Sequence, residues 1–148
     1  MTITPISELS PRDAFKKVVK EANIAEITRL LEAGISVNMI HDTDLNTTLH
    51  IAVKTYNQAL IALSIKHHAF LNQKNRFNQT PLEMAVQLNA WDAVLTILKN
   101  NLFKENYKES CLFGLKNAIY AAQIDVVEQL LGSIDFYQNY LCTRQNFN

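Results

Sequence analysis

Glycine and proline are scarce in this 148-residue chain, with three of each, so little in it interrupts helical backbone. Only two cysteines occur, Cys111 and Cys142, too few for a disulfide framework. They fit a reducing compartment, and a cytoplasmic setting is expected. Apolar runs are short and interrupted, well below the roughly 20 residues of a membrane span. The opening MTITPISELSPRD has no basic stretch followed by an apolar core, so no secretory signal is expected. Net charge is also missing, with 14 basic and 14 acidic side chains. Residues 1–74 carry eight basic and seven acidic groups, and residues 75–148 carry six and seven. Neither half is a basic arm, so a nucleic-acid partner is not expected.

Apolar residues recur at three- and four-residue spacing in Phe15–Leu31, Leu49–Ile65, Leu82–Leu98 and Leu115–Leu131. Strand-like alternation is rare, and an all-α fold follows. Self-comparison adds a longer rhythm. Thr47-Thr48-Leu49-His50-Ile51-Ala52 aligns with Thr80-Pro81-Leu82-Glu83-Met84-Ala85 at an offset of 33. A further 33 brings Leu115 and Ala118 onto the same slots. Ile61, Val94 and Val127 align as well, as do Ile65, Leu98 and Leu131. Phe15, Val18, Ile27 and Leu31 fit the same template at 34, which places one inserted residue between Met39 and Thr47.

This period and the T-P-L-H-x-A start resemble the ankyrin repeat family over about residues 12–135. Leu30-Leu31-Glu32-Ala33-Gly34-Ile35-Ser36-Val37-Asn38 is similar to the family's repeat ending. The resemblance implies an ankyrin-repeat solenoid, a single domain of stacked helix–turn–helix units at roughly 12–45, 46–78, 79–111 and 112–135. A C-terminal tail, 136–148, would follow. Ser10-Pro11-Arg12-Asp13 and Thr80-Pro81-Leu82-Glu83 read as helix starts, each with a cap, a first-turn proline and an acid three residues on. His50 holds the same slot after Thr47, where the family's imidazole bridges backbone groups of the turn. Ala52, Ala85 and Ala118 allow close helix approach. Family glycines are replaced at Ala22, Tyr56, Asn89 and Ala122. On the hairpin side only Gly34 survives, against His68, Asn101 and Ile134. The fourth unit begins Phe113-Gly114 instead of Thr-Pro, after a polar Lys104–Ser110 loop.

No G-x-G-x-x-G, Walker loop, G-x-S-x-G, H-E-x-x-H or paired C-x-x-C occurs, so no enzyme, cofactor or metal is expected. His67 and His68 are adjacent and point to different helix faces. His41 has no recognisable partner. Cys111, ahead of Leu112-Phe113, reads as a buried hydrophobe rather than a nucleophile. Asp42 and Asp44 read as turn residues rather than an acid/base pair. Trp91 falls on an interior slot, with an exposed anchor as the other reading.

The resemblance implies a non-enzymatic module that binds a protein or peptide on its concave face. The family's variable contact positions fall on Thr43, Asp44 and Asn46, then Arg76, Phe77 and Gln79, then Glu109, Ser110 and Leu112 in loops. On first helices they fall on Lys20, Glu21, Lys54, Thr55, Gln87, Leu88, Tyr120 and Ala121. Asp44, Lys54, Arg76, Phe77, Gln79, Gln87, Leu88, Glu109, Leu112 and Tyr120 form the expected contact set. Arg76 and Phe77 are its centre, unless Phe77 folds back on its own loop. A monomer is expected. The tail aromatics Phe136, Tyr137, Tyr140 and Phe147, with Leu141, either cap the last unit or mediate self-association in a scaffold. Frequent asparagine and isoleucine fit an AT-rich genome, and delivery of a bacterial effector into a host cell is one setting the resemblance raises.

Overall fold

The computed structural model describes residues 6–100, 107–121 and 123–145. Eight α-helices form among them, α1 (Pro11–Lys20), α2 (Ile24–Glu32), α3 (Thr48–Lys54), α4 (Gln58–Lys66), α5 (Pro81–Gln87), α6 (Trp91–Asn100), α7 (Tyr107–Tyr120) and α8 (Ile124–Gln145). A 3₁₀ turn, Ile6–Glu8, precedes α1. The only strand-like pairing among the described residues is an isolated antiparallel bridge between Ile40 and Thr47. The fold is all-α. The chain divides into two compact units, Met1–Met84 and Ala85–Asn148, and the division falls inside α5.

Caps set the helix starts. Ser10 Oγ accepts from the Asp13 N–H at 3.2 Å, with Pro11 in the first turn. Asn23 and Asn57 cap α2 and α4 by accepting from the N–H of Glu26 and Leu60. Glu83 closes the capping box of α5: its Oε2 accepts from Thr80 N–H at 2.7 Å, and Thr80 Oγ1 accepts from Glu83 N–H at 3.2 Å. Helix ends use left-handed residues. Ala22, Tyr56 and Asn89 have φ near +54°, and Gly34 and His68 are also positive. These are the slots where the repeat template expects glycine. Ala122 and Asn101 lie outside the described residues. Ile134 does not end a helix, because α8 runs straight through it.

In the first unit α1 packs on α2, α3 on α4, and α2 on α4. Phe15, Val18, Ile27, Leu49, Ala52, Val53, Leu60 and Ile61 form a sealed core. Asn38 ties consecutive hairpins: its Oδ1 accepts from the Phe70 N–H at 2.7 Å. In the second unit α7 packs on α8, and α6 packs on both. Gly114 sits mid-helix in α7 because a Cβ there would stand 3.2 Å from Leu98 Cδ1.

The fourth repeat departs from the template. α7 starts at Tyr107, so residues 107–110 of the expected polar loop and the boundary at 112 fall within a helix. The boundary at 135 falls within α8, so residues 136–145 continue that helix. Val126 and Leu130 are buried, but Val127 is half-buried and Leu131 is 47% exposed. In α6 both pairs of slots are filled: Ala93, Val94, Ile97 and Leu98 are all buried. α8 is the last described helix, and its 127/131 side is less covered than its 126/130 side. The side chains of Phe136, Tyr137, Tyr140 and Leu141, and all of Phe147, lie outside the described residues.

Candidate interaction surface

The first unit builds a hairpin before α3 and another before α5, and both use one turn. Asp42 Oδ1 accepts from the N–H of Asp44 and Asn46 at 3.1 and 3.0 Å. Asn75 Oδ1 accepts from Phe77 and Gln79 N–H, each at 3.0 Å. The two turns are in step at 33 residues from Asp42 onward. The inserted residue therefore lies in Met39-Ile40-His41, three residues between Asn38 and Asp42 where Gln73-Lys74 stand between Asn72 and Asn75. The turn reading of Asp42 holds. Burial would raise its carboxyl pKa, but bonds from Asn46 and Asp44 and the nearby Lys54 charge hold it below the usual value.

The hairpins are joined to each other. Arg76 N–H donates to the Asp44 carbonyl at 2.7 Å, and Asn75 Nδ2 donates to Asn46 Oδ1 at 3.2 Å. Asn46 is 2% exposed and also donates to Asp42 from its side chain. It is a structural clamp, and its expected place among contact residues is corrected. Leu45 and Asn78 have φ of 60° and 59° at the hairpin tips. A left-handed leucine costs about 1 kcal/mol or more relative to glycine. The repeat comparison did not single out this position.

His50 acts as a turn histidine. The Thr47 N–H donates to its Nδ1 at 3.3 Å, and its Nε2 donates to the Gln79 carbonyl at 3.0 Å. The carbonyl can only accept, so the ring is the neutral Nε2–H tautomer. Burial is the main cause of its lowered pKa, partly offset by Gln79 and Asp42.

His41, in the inserted segment, has partners that the sequence did not reveal. Its ring centroid is 5.6 Å from that of Phe15, and its Nε2 lies 2.8 Å from the fully buried Thr48 Oγ1. Burial, then the charge of Lys16, push its pKa down to about 4, against a small opposing pull from Asp42.

The expected contact residues fall into two sets. In the first unit Lys54, Arg76 and Phe77 are exposed, with Phe77 64% exposed rather than folded onto its loop. Asp44 and Gln79 are half-buried, and both engage their neighbours through backbone groups. In the second unit Gln87 ends α5 and is exposed, and Leu88 follows half-buried. Leu112 and Tyr120 line one shallow depression of about 370 Å³ along α7, with Leu115, Lys116 and Ile119. Glu109 and Leu112 thus stand on a helix and not in the expected loop, because α7 begins early. The side chains of Glu109, Ser110 and Cys111 lie outside the described residues. Trp91 is half-buried at the start of α6. Among the described residues no cluster of three or more His, Cys, Asp or Glu could hold a metal ion, and no helix is long and apolar enough to cross a membrane.

No family model matches the chain. It is similar to a protein of Rickettsia bellii (strain RML369-C) named "Putative ankyrin repeat protein", with 31% identity over 101 residues, 53% of this chain. The chain spans 42% of the length of that relative. Together with the capped helix pairs and the paired hairpin turns, this likeness makes the fold an all-α, ankyrin-like one.

Proposed function

We propose that the chain is an ankyrin-repeat protein that binds a partner protein or peptide, without catalysis, on the concave side where hairpin tips and first helices meet. The observation that carries this reading is the bonded pair of hairpins. It holds Leu45, Arg76 and Phe77 at the surface on backbone fixed by Asp42 and Asn75. An exposed aromatic and a guanidinium on a rigid support are favourable contact groups, since little ordering cost remains on binding. The strained Leu45 fits the same role.

The test is affinity capture from a lysate with the wild-type chain, beside Arg76→Ala and Phe77→Ala. A protein retained by the wild type and lost by both variants, at unchanged melting temperature, supports the reading. Equal retention by all three rejects it.

Self-association is the second reading. It is favoured by the exposed Leu112, Ile119 and Tyr120 on α7 and Ile124 and Leu131 on α8. Light scattering of the full chain across concentration tests it, with a constant monomer mass as the rejecting result.

A further inference from the structure

In the first unit α1, the inserted hairpin segment and α3 enclose a groove of about 450 Å³. Ile51 supplies apolar surface beside the largely buried Val19, and Lys16, Lys17, Lys20, His41 and Asp42 form its polar rim. Lys16 and Lys20 are one turn apart on α1, so their ammonium groups leave the helix on the same side. Among the described residues neither has an ion-pair partner. Asp42 is the one carboxylate lining the groove, and its oxygens already accept from Asn46 and Asp44.

We propose that this groove binds an acidic peptide segment of a partner protein, with carboxylates at Lys16 and Lys20 and an apolar side chain against Ile51. The inference deepens, and rests on, the reading of the chain as a protein-binding module. Charge complementarity selects the occupant: Lys16 and Lys20, with Lys17 also on the lining, face one engaged carboxylate. The apolar surface selects a peptide over a free anion, which would leave Ile51 unused. The volume suits a few side chains, as in clefts of several hundred Å³. His41 reports on the same field. Its ring is held neutral partly by the Lys16 charge, and a carboxylate beside Lys16 would relieve that repulsion.

The experiment is calorimetric titration of the full chain with three blocked hexapeptides in which leucine alternates with glutamate, glutamine or lysine. Inorganic phosphate and phosphatidylserine vesicles are the further arms, and the histidine resonances are followed in parallel by NMR. The glutamate peptide is expected to bind at least tenfold more tightly than the glutamine peptide, with an upward shift of the His41 pKa. Lys16→Glu/Lys20→Glu removes that preference, and Lys16→Ala/Lys20→Ala reduces it, both with unchanged circular dichroism. No binding, equal binding of the three peptides, undiminished binding by the variants, or preference for phosphate or vesicles would each overturn the proposal. Loss of a captured protein on Phe77→Ala but not on Lys16→Glu/Lys20→Glu would overturn it while leaving the hairpin-tip reading in place.

Discussion

Nε2 of His50, on α3, donates to the carbonyl of Gln79 at 3.0 Å, and so fastens one helix pair to the hairpin of the next. The other ring nitrogen accepts from Thr47 N–H. One fully buried imidazole therefore caps its own helix and pins the following turn. His50→Ala is expected to cost about 2–4 kcal/mol in denaturant unfolding, from lost packing and an orphaned carbonyl. His50→Gln keeps an acceptor for Thr47, and should cost less. Equal losses would show that the Thr47 bond does not matter.

His41 makes stability pH-dependent. Its folded pKa of about 4 is below the usual 6.5, so the unfolded chain binds the proton first as pH falls. The stability this group contributes is complete above pH 6.5 and is lost as pH falls toward 4. His50 acts in the same direction. Urea midpoints should fall between pH 7 and pH 5, and fall less in His41→Gln. An identical slope in that variant would refute the role of His41.

Ser64 is fully buried on α4, and its hydroxyl makes no hydrogen bond to any described group. Ser64→Ala should be neutral or stabilise by up to about 1 kcal/mol, because an unsatisfied hydroxyl is removed at little change in volume. A loss above 1 kcal/mol would reveal a hidden partner.

Gly114 has Leu98, Leu130 and Val94 within 4 Å of where its Cβ would stand. Gly114→Leu is expected to cost about 1–3 kcal/mol, since overpacking here outweighs the gain in helix propensity. Thermal unfolding that is unchanged would mean that α7 can shift away from α6.

Much of this was legible in the sequence. The 33-residue spacing locates the helix pairs, and Thr80, Pro81 and Glu83 mark a helix start by their chemistry alone. The glycine-slot residues Ala22, Tyr56 and Asn89 do adopt the left-handed backbone that the template assigns them. The asparagine caps at 23 and 57 were missed because asparagine signals turns as readily as caps. His41 was opaque for a different reason: its partners Phe15 and Thr48 meet it only after the hairpin folds over α1 and α3. The fourth repeat misled because Phe113-Gly114 reads as a unit start after a polar loop, yet Gly114 serves close packing inside α7. Leu131 fits an apolar slot in the repeat, but that slot is filled only where another helix covers it.

The most direct measurement is the dissociation constant of the captured partner for the wild-type chain, Arg76→Ala and Phe77→Ala, taken with their melting temperatures. Each exposed side chain should contribute about 1–3 kcal/mol, a roughly 5- to 150-fold weakening, with melting temperatures unchanged. Wild-type affinity in both variants would contradict binding through the hairpin tips.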